Sequence, residues 1–292
     1  MMQTNSEGVR TGVLTGSASL GRGKVGSRDL VEWLDPPADF NFSHFRMRHM
    51  LAELLRTHRR SGIPPGGEAP PFDLETTAGT RLRLLDLRGR PVLMHFVSYT
   101  CPVTCGSVAP MKELHRRFGD RVQFVDILVR QAHPGERRGA YHSFAEKMAD
   151  AGRYQRDEAI SWPVAVDDLA GTIQHAYGGM SASIYLLDAH GRVAFYAMWG
   201  QAPALTGAIE QLLARGGVGA PVGGGIDRTP HLGSAIVAGQ GGPARGGLMS
   251  LVDLELGFPG ALFLMLLGRL ARPVLAPLLQ RTTPTSDALR DP

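Results

Sequence analysis

Five apolar runs set the frame of this chain. VLMHFV, at 92–97, is continuously apolar and bounded by turn residues, as a strand buried on both faces would be. VQFVDILV, at 122–129, has the same character, and WPVAVD, at 162–167, is a shorter version of it. ASIYLLD (182–188) and VAFYAMWG (193–200) flank the turn AHGR and predict a hairpin. Between the runs the period lengthens. VTCGSVAPMKELHRRF (103–118) predicts a helix with Pro102 at its first position and a kink at Pro110. HSFAEKMADAGRY (142–154), the short DLAGTIQHAYG and APALTGAIEQLLARG supply three more helices, the last stopped by Gly216. RLRLLDLRGRP alternates apolar and polar residues before its turn at Arg88–Pro91. Strands alternating with helices over 68–215 predict an α/β domain with a central mixed sheet flanked by helices.

The flanks follow other rules. Residues 1–36 are polar and glycine-rich without a period, which predicts a flexible N-terminal segment. Residues 37–67 hold an amphipathic helix and a linker. Met47, Met50, Leu51, Leu54 and Leu55 recur at helical spacing with a basic far face, before the breaker cluster SGIPPGGEAPP. Residues 216–247 are dominated by glycine, alanine and proline and read as a disordered linker, a flexible C-terminal extension. The segment 248–292 is apolar, but its run from Phe258 to Leu267 is too short to span a bilayer. Pro259, Arg269, Arg272 and Pro273 interrupt the longer stretch. It reads either as a helix that docks on the domain or on a second copy in a homodimer, or as a peripheral membrane contact through 256–280.

Composition narrows the function classes. The formal charge of +4 comes from scattered arginines with no aromatic-studded basic stripe, so nucleic acid is not an expected partner. No GxxxxGK[ST] or strand-linked GxGxxG is present to cradle phosphate. The two cysteines are too few for a secreted disulfide framework. The first residues lack the charged and apolar regions of a signal peptide, so a cytoplasmic location is the expectation. In that reducing compartment a cysteine pair is more often catalytic, redox-active or metal-binding than structural.

Both cysteines lie in SYTCPVTC, where the first long strand passes into a helix. A thiol at a helix N-terminus meets unpaired N–H groups and the positive end of the macrodipole, which favour thiolate. Cys101 is therefore expected to present a partly exposed sulfur of lowered pKa. Cys105 shares its helix face one turn on, so the pair can close a disulfide or hold one soft metal ion. His133, after the next parallel strand, is expected on the same sheet edge, where it can move protons near neutral pH. Ser98 and Thr100 can donate to a Cys101 thiolate or cap the helix. Asp167 and Asp168 read as a turn and N-cap, and His175 and Tyr177 as packing.

The motifs carry a family resemblance over about half of the chain. The element order from Pro71 to Arg215 resembles a thioredoxin-like fold of the redoxin type. RPVLMHFVSYTCPVTC resembles the iodothyronine deiodinases, whose Ser-x-Thr-selenocysteine-Pro turn is matched by SYTCP with Cys101 at the selenocysteine. The family's Glu-Ala-His-Pro motif appears as QAHP, which places His133 on its catalytic histidine; a second histidine corresponds to His142. Gln131 stands where that motif has glutamate, and the hormone-recognising glutamate and arginine fall on Ala182 and Gln201. The resemblance implies a thiol-dependent oxidoreductase with Cys101 as nucleophile, Cys105 as resolving thiol and His133 as proton carrier. Ser98, Thr100, His142 and Ser181 are then substrate-side residues, Ser181 standing where many redoxins have a cis-proline. The substrate is a small molecule, the reductant is an external thiol such as thioredoxin or a small-molecule thiol, and no cofactor is required. SYTC also matches the end of the peroxiredoxin Pro-x3-Thr/Ser-x2-Cys turn, with Met94 at the proline. CPVTC is similar to the Cys-Pro-x-x-Cys pair of copper chaperones of cytochrome oxidase assembly. That resemblance implies the alternative, a Cu(I) carrier using Cys101, Cys105 and Met180.

Overall fold

The computed structural model of the chain describes residues 27–199, 202–230 and 232–281. Two helices lead in, α1 (Ser27–Leu34) and α2 (Met47–Arg59). The sheet domain follows in the order β1 (Asp73–Thr76), β2 (Arg81–Arg83), β3 (Val92–Val97), α3 (Pro102–Phe118), β4 (Gln123–Leu128), α4 (Phe144–Asp157), β5 (Val164–Val166), α5 (Thr172–Ala176), β6 (Ile184–Leu187), β7 (Val193–Ala197), α6 (Ala202–Ala214) and β8 (Ile226–Asp227). Four helices close the chain: α7 (Leu232–Ala238), α8 (Gly241–Gly246), α9 (Leu248–Gly257) and α10 (Ala261–Arg281).

The strands form one mixed sheet in the order β2-β1-β5-β4-β3-β6-β7-β8. β3, β4 and β5 run parallel, β6 and β7 add the expected antiparallel hairpin, and β3 sits near the middle. All six β3 residues are buried, as an apolar strand covered on both faces must be. Its side chains alternate between two cores. Leu93 and Val97 pack with Met111, Leu114 and Phe118 of α3, while Val92, Met94 and Phe96 enter the other layer. In that second layer the Tyr185 and Tyr196 rings stack at 4.1 Å. Their hydroxyls reach outward, Tyr196 to the Ser61 carbonyl at 2.9 Å and Tyr185 to the Tyr177 carbonyl at 2.8 Å. Part of the breaker cluster after α2 is thus held against the sheet. Gly62, at φ +122°, is required there, because a side chain would run into the Tyr185 hydroxyl and the Tyr196 ring.

Two expectations about the flanks change. Residues 1–26 lie outside the described residues, but 27–34 form α1 and are part of the packed structure. Segment 216–247, expected to be disordered, contains β8, α7 and α8. Its small residues are contact surfaces. A Cβ at Gly239 would collide with the Pro102 carbonyl, and one at Gly242 would lie 2.7 Å from the Cys101 carbonyl carbon and oxygen. Only a chain without side chains can approach the start of α3 this closely.

The lead-in is tied down by charge. Arg130, just past β4, grips Asp35 with two hydrogen bonds, Nη1 to Oδ1 at 2.9 Å and Nη2 to Oδ2 at 2.8 Å. Arg56 of α2 donates to the same Oδ2 at 2.8 Å, and all three side chains are buried. Burial alone would raise the Asp35 pKa, but Arg130 and then Arg56 outweigh it and hold the carboxyl well below the usual carboxylate range. Arg130 also lies over the Phe40 and Phe42 rings at 4.9 and 4.8 Å. Asp35→Ala leaves two buried guanidinium groups without their anion. It is expected to cost about 3–5 kcal/mol in urea unfolding; a loss below about 1 kcal/mol, the range of a surface pair, would contradict this account of the cluster.

Candidate active site

β3 and β4 are parallel and in register from Val92 opposite Gln123 to Val97 opposite Leu128, so the loops after them open on one edge. Cys101 is the N-cap of α3, with Pro102 as its first helical residue. The loop after β4 is stapled to it through hydroxyls. Ser98 Oγ accepts from the Ala132 amide at 2.8 Å; Thr100 Oγ1 accepts from the His133 amide at 3.1 Å and donates to Gln131 Oε1 at 2.9 Å. Gln131 in turn donates to Asp150 of α4 at 2.8 Å. Contrary to expectation, Ser98 and Thr100 neither bond the Cys101 sulfur nor cap α3; they fix the spacing of two loops. The groups that face the sulfur favourably are the Val103 and Thr104 amides and the Thr104 hydroxyl.

Cys101, His133 and Ser181 line one cavity of about 100 Å³. Its floor includes Met180, Ala182 and Trp199 from the sheet domain, and one wall is the inner face of α2, with His49 and Glu53. The roof is apolar and comes from the C-terminal helices, with Ala235, Leu254, Phe258 and Met265. Ser181 donates to Glu53 Oε1 at 3.2 Å. The His133 ring lies 4.4 Å from that of Phe45, and its Nδ1 is buried without a partner.

This enclosure reverses the expected thiol chemistry. Cys101 is only 4 % exposed. Burial pushes its pKa up, and the amides of the helix start, which favour thiolate, do not offset that. Cys105 does not line the cavity. Its sulfur accepts from Arg245 Nη1 at 3.2 Å, and Arg245 is anchored to the Tyr99 carbonyl, the Tyr99 ring and Glu158. Burial pushes the Cys105 thiol up to about 12, against the opposing pull of Arg245. Both cysteines are free thiols, one helical turn apart, the Cys105 amide bonded to the Cys101 carbonyl at 3.1 Å. The soft ligands of the copper alternative are accordingly split. Cys101 and Met180 face the cavity, whereas Cys105 faces a cation that would repel Cu(I). His142 also leaves the candidate set: it is exposed at the start of α4, where its amide bonds Glu146 at 2.7 Å, and it does not reach the cavity.

Glu53, His49, Arg130 and Arg245 were missed from sequence. The first two had a signal: His49, Glu53 and Arg56 recur at i, i+4 and i+7, a polar stripe along α2. That stripe faces the protein, while Met47, Leu51 and Leu54 are exposed. Arg245 had none, because it sits in the glycine-rich segment.

With this geometry in place, comparison with known proteins defines the class. Residues 65–196 match the AhpC/TSA family. Over 134 residues, 42% of this chain, it is 29% identical to thyroxine 5-deiodinase of Gallus gallus, covering 52% of that protein. Over 131 residues, 44% of this chain, it is 27% identical to the thioredoxin-like protein YneN of Bacillus subtilis (strain 168), covering 69% of that one. The chain thus spans about half the length of the deiodinase it matches. Among solved structures, an uncharacterized conserved protein from Geobacillus kaustophilus aligns with 55% of this chain and 85% of its own at 18% identity and a TM-score of 0.45.

The buried groups set a pH window. Burial pushes His49 down to about 4 and His133 down to about 3, from an ordinary 6.5. The unfolded chain takes up these protons first, so stability present above pH 6.5 is lost as pH falls toward 4. Asp253 and Asp35, which attract those protons, soften the loss, as does Glu53, whose pKa burial raises. On the alkaline side both thiols hold their protons longer in the fold, so stability is lost as pH rises past about 9. Tm is expected to peak between these limits. His133→Asn should flatten the acid limb of the Tm–pH curve; an acid limb of unchanged slope would remove His133 as its cause.

The roof makes a second expectation. Gly239→Val forces α7 off the start of α3, and Cys101 should then alkylate several-fold faster at neutral pH while the far-ultraviolet circular dichroism of the sheet domain is retained. An unchanged rate would mean that the roof does not govern access to the thiol.

Proposed function

We propose that the chain is a thiol-dependent oxidoreductase in which Cys101 attacks an electrophilic atom of a small apolar substrate. The observation that supports this most is the placement of Cys101 at the N-terminus of α3, lining the same apolar cavity as His133 at the C-terminal edge of the parallel strands. The buried thiol is protonated at rest. Entry of substrate, or movement of the roof, lets the Val103 and Thr104 amides stabilise the thiolate as it forms.

With a hydroperoxide, the Cys101 sulfur bonds the distal oxygen and the O–O bond breaks. The alcohol leaves with a proton, and Cys101 becomes a sulfenic acid. His133, neutral in the cavity, carries the thiol proton to the leaving oxygen. The Cys105 sulfur then attacks Cys101, water departs, and a disulfide spans the first turn of α3. An external dithiol reduces it by exchange, and no cofactor is needed. With a carbon–halogen substrate, the sulfur takes the halogen, carbon takes the proton, and Cys105 displaces halide to reach the same disulfide. Arg245, bonded to the Cys105 sulfur, stabilises the thiolate as Cys105 gives up its proton in that second step, against the burial that otherwise holds the thiol protonated. The likeness to a deiodinase supports the halogen substrate, and the AhpC/TSA match supports the peroxide. The cavity suits either, because an apolar roof recognises bulk and does not recognise charge.

Turnover of an alkyl hydroperoxide and of an iodinated phenol, driven by thioredoxin or dithiothreitol, tests the assignment. Cys101→Ser should abolish both activities. Cys105→Ser should complete the first half-reaction, accumulate a dimedone-reactive Cys101 and lose most of its thioredoxin-driven turnover. Full activity in Cys101→Ser would end this reading.

A further inference from the structure

The outer surface of the helical cap is apolar in a way the fold does not need. Among the described residues, every exposed large apolar side chain except Leu85 and Val218 lies on α1, α2, α9 or α10. On α10, Phe263, Leu266, Leu267, Leu270 and Val274 recur at i, i+3, i+4, i+7 and i+11, one continuous stripe. Phe263 and Leu270 are 63 % and 70 % exposed. The opposite side of α10 is the packed one: Ala261 and Met265 are buried, and Gly268 sits against the Ile236 carbonyl. Leu248, Val252 and Leu256 make a matching outer stripe on α9, and Met47, Leu51 and Leu54 do so on α2. α2 packs on α9, and α9 on α10, so these stripes adjoin. Trp33 of α1, 74 % exposed, projects beside α2.

We propose that this face docks on the surface of an anionic lipid bilayer. Charge selects lipid over a second copy of the chain. Each acidic side chain on α2, α9 and α10 is engaged within the protein. Glu53 is buried in the cavity wall, Asp253 is buried against His44 and Arg46, and Glu255 accepts from the Gly260 and Leu262 amides at 2.7 and 3.0 Å. Arg60, at the end of α2, and Arg269, on the flank of the α10 stripe, are exposed. A symmetric dimer would bring these like-charged rims together, whereas anionic headgroups complement them. Shape agrees with an interfacial mode. No single helix among the described residues is long and apolar enough to cross a membrane. α9 and Ala261–Leu275 have that length and apolarity only together, and they meet at 109°. An angled pair with outward apolar stripes lies in the headgroup–acyl boundary. Leu264 is on the exposed face and also lines the Cys101 cavity, so the docked face and the cavity share an edge.

The proposal concerns where the protein sits and stands independently of the chemistry at Cys101. The full chain is tested by co-sedimentation with phosphatidylcholine vesicles, with and without phosphatidylglycerol, and by quenching of Trp33 fluorescence with brominated-acyl lipid. Trp162 and Trp199 are buried, so Trp33 is the tryptophan the quencher reaches among those described. Binding is expected to need phosphatidylglycerol, to weaken with salt and to be accompanied by quenching. Leu266→Glu/Leu270→Glu should weaken it at least about tenfold, with circular dichroism and Cys101 alkylation unchanged. Absence of vesicle binding would overturn the proposal, as would equal binding by the variant. A wild-type dimer that ignores vesicles and that the same variant makes monomeric would assign the face to self-association instead.

Discussion

The site depends on one buried carboxylate. Asp35 lies between Arg130, on the loop that carries His133, and Arg56, on the helix that carries His49 and Glu53. Neither guanidinium could be buried without an anion, and the carboxylate could not be buried without them. Their meeting ties a lead-in helix to the active edge of the sheet at a set distance. The bidentate contact from Arg130 sets orientation as well as distance, since its two parallel hydrogen bonds hold the guanidinium in the carboxylate plane. Phe40 and Phe42 then shield the pair from water on the ring side. The cavity wall opposite Cys101 is therefore positioned by charge, while the sheet beneath it is positioned by apolar packing.

The second constraint is steric. The glycine-rich segment after α6 approaches α3 so closely that Gly239 and Gly242 have no room for a Cβ. That approach places the roof over Cys101 and carries Arg245 to Cys105. The two thiols thus acquire different surroundings although they share one helical turn. One faces an apolar cavity and helix amides; the other faces a guanidinium. In the cycle we propose, that difference divides attack and resolution between the two sulfurs, the first protonated until its pocket is filled and the second paired with a cation.

The strands and the cysteine turn were legible because each rests on local pattern. The apolar run at 92–97 coincides with β3, and Pro102 begins α3 as proline does at a first helical position. The edge shared by Cys101 and His133 followed from parallel connection alone. The cap was not legible, because glycine and alanine carry the same weight in a contact surface as in a disordered tail. What distinguishes the two is the tertiary approach to α3, which leaves no period in the sequence. The exposure of Cys101 was misjudged for the same reason: the strand–turn–helix motif is local, but the C-terminal helices that cover it begin only at Leu232. Ser98 and Thr100 illustrate a third limit. Their hydroxyls were expected at the Cys101 sulfur or at the helix cap, but their partners lie across the sheet edge on the neighbouring loop.

α2 shows how these levels interact. An amphipathic helix normally turns its apolar stripe inward. Here the inner face must meet Asp35, Ser181 and the Trp199 indole, which donates to Thr57 at 2.9 Å. These three polar demands outweigh the burial of three apolar side chains, because an unpaired buried charge costs several times what an exposed leucine does. Met47, Leu51 and Leu54 are left outside as a consequence of how the cavity wall is built. The apolar outer surface is thus the other side of the polar site: the same residues that arm the cavity force the helix to face outward with its hydrophobic stripe.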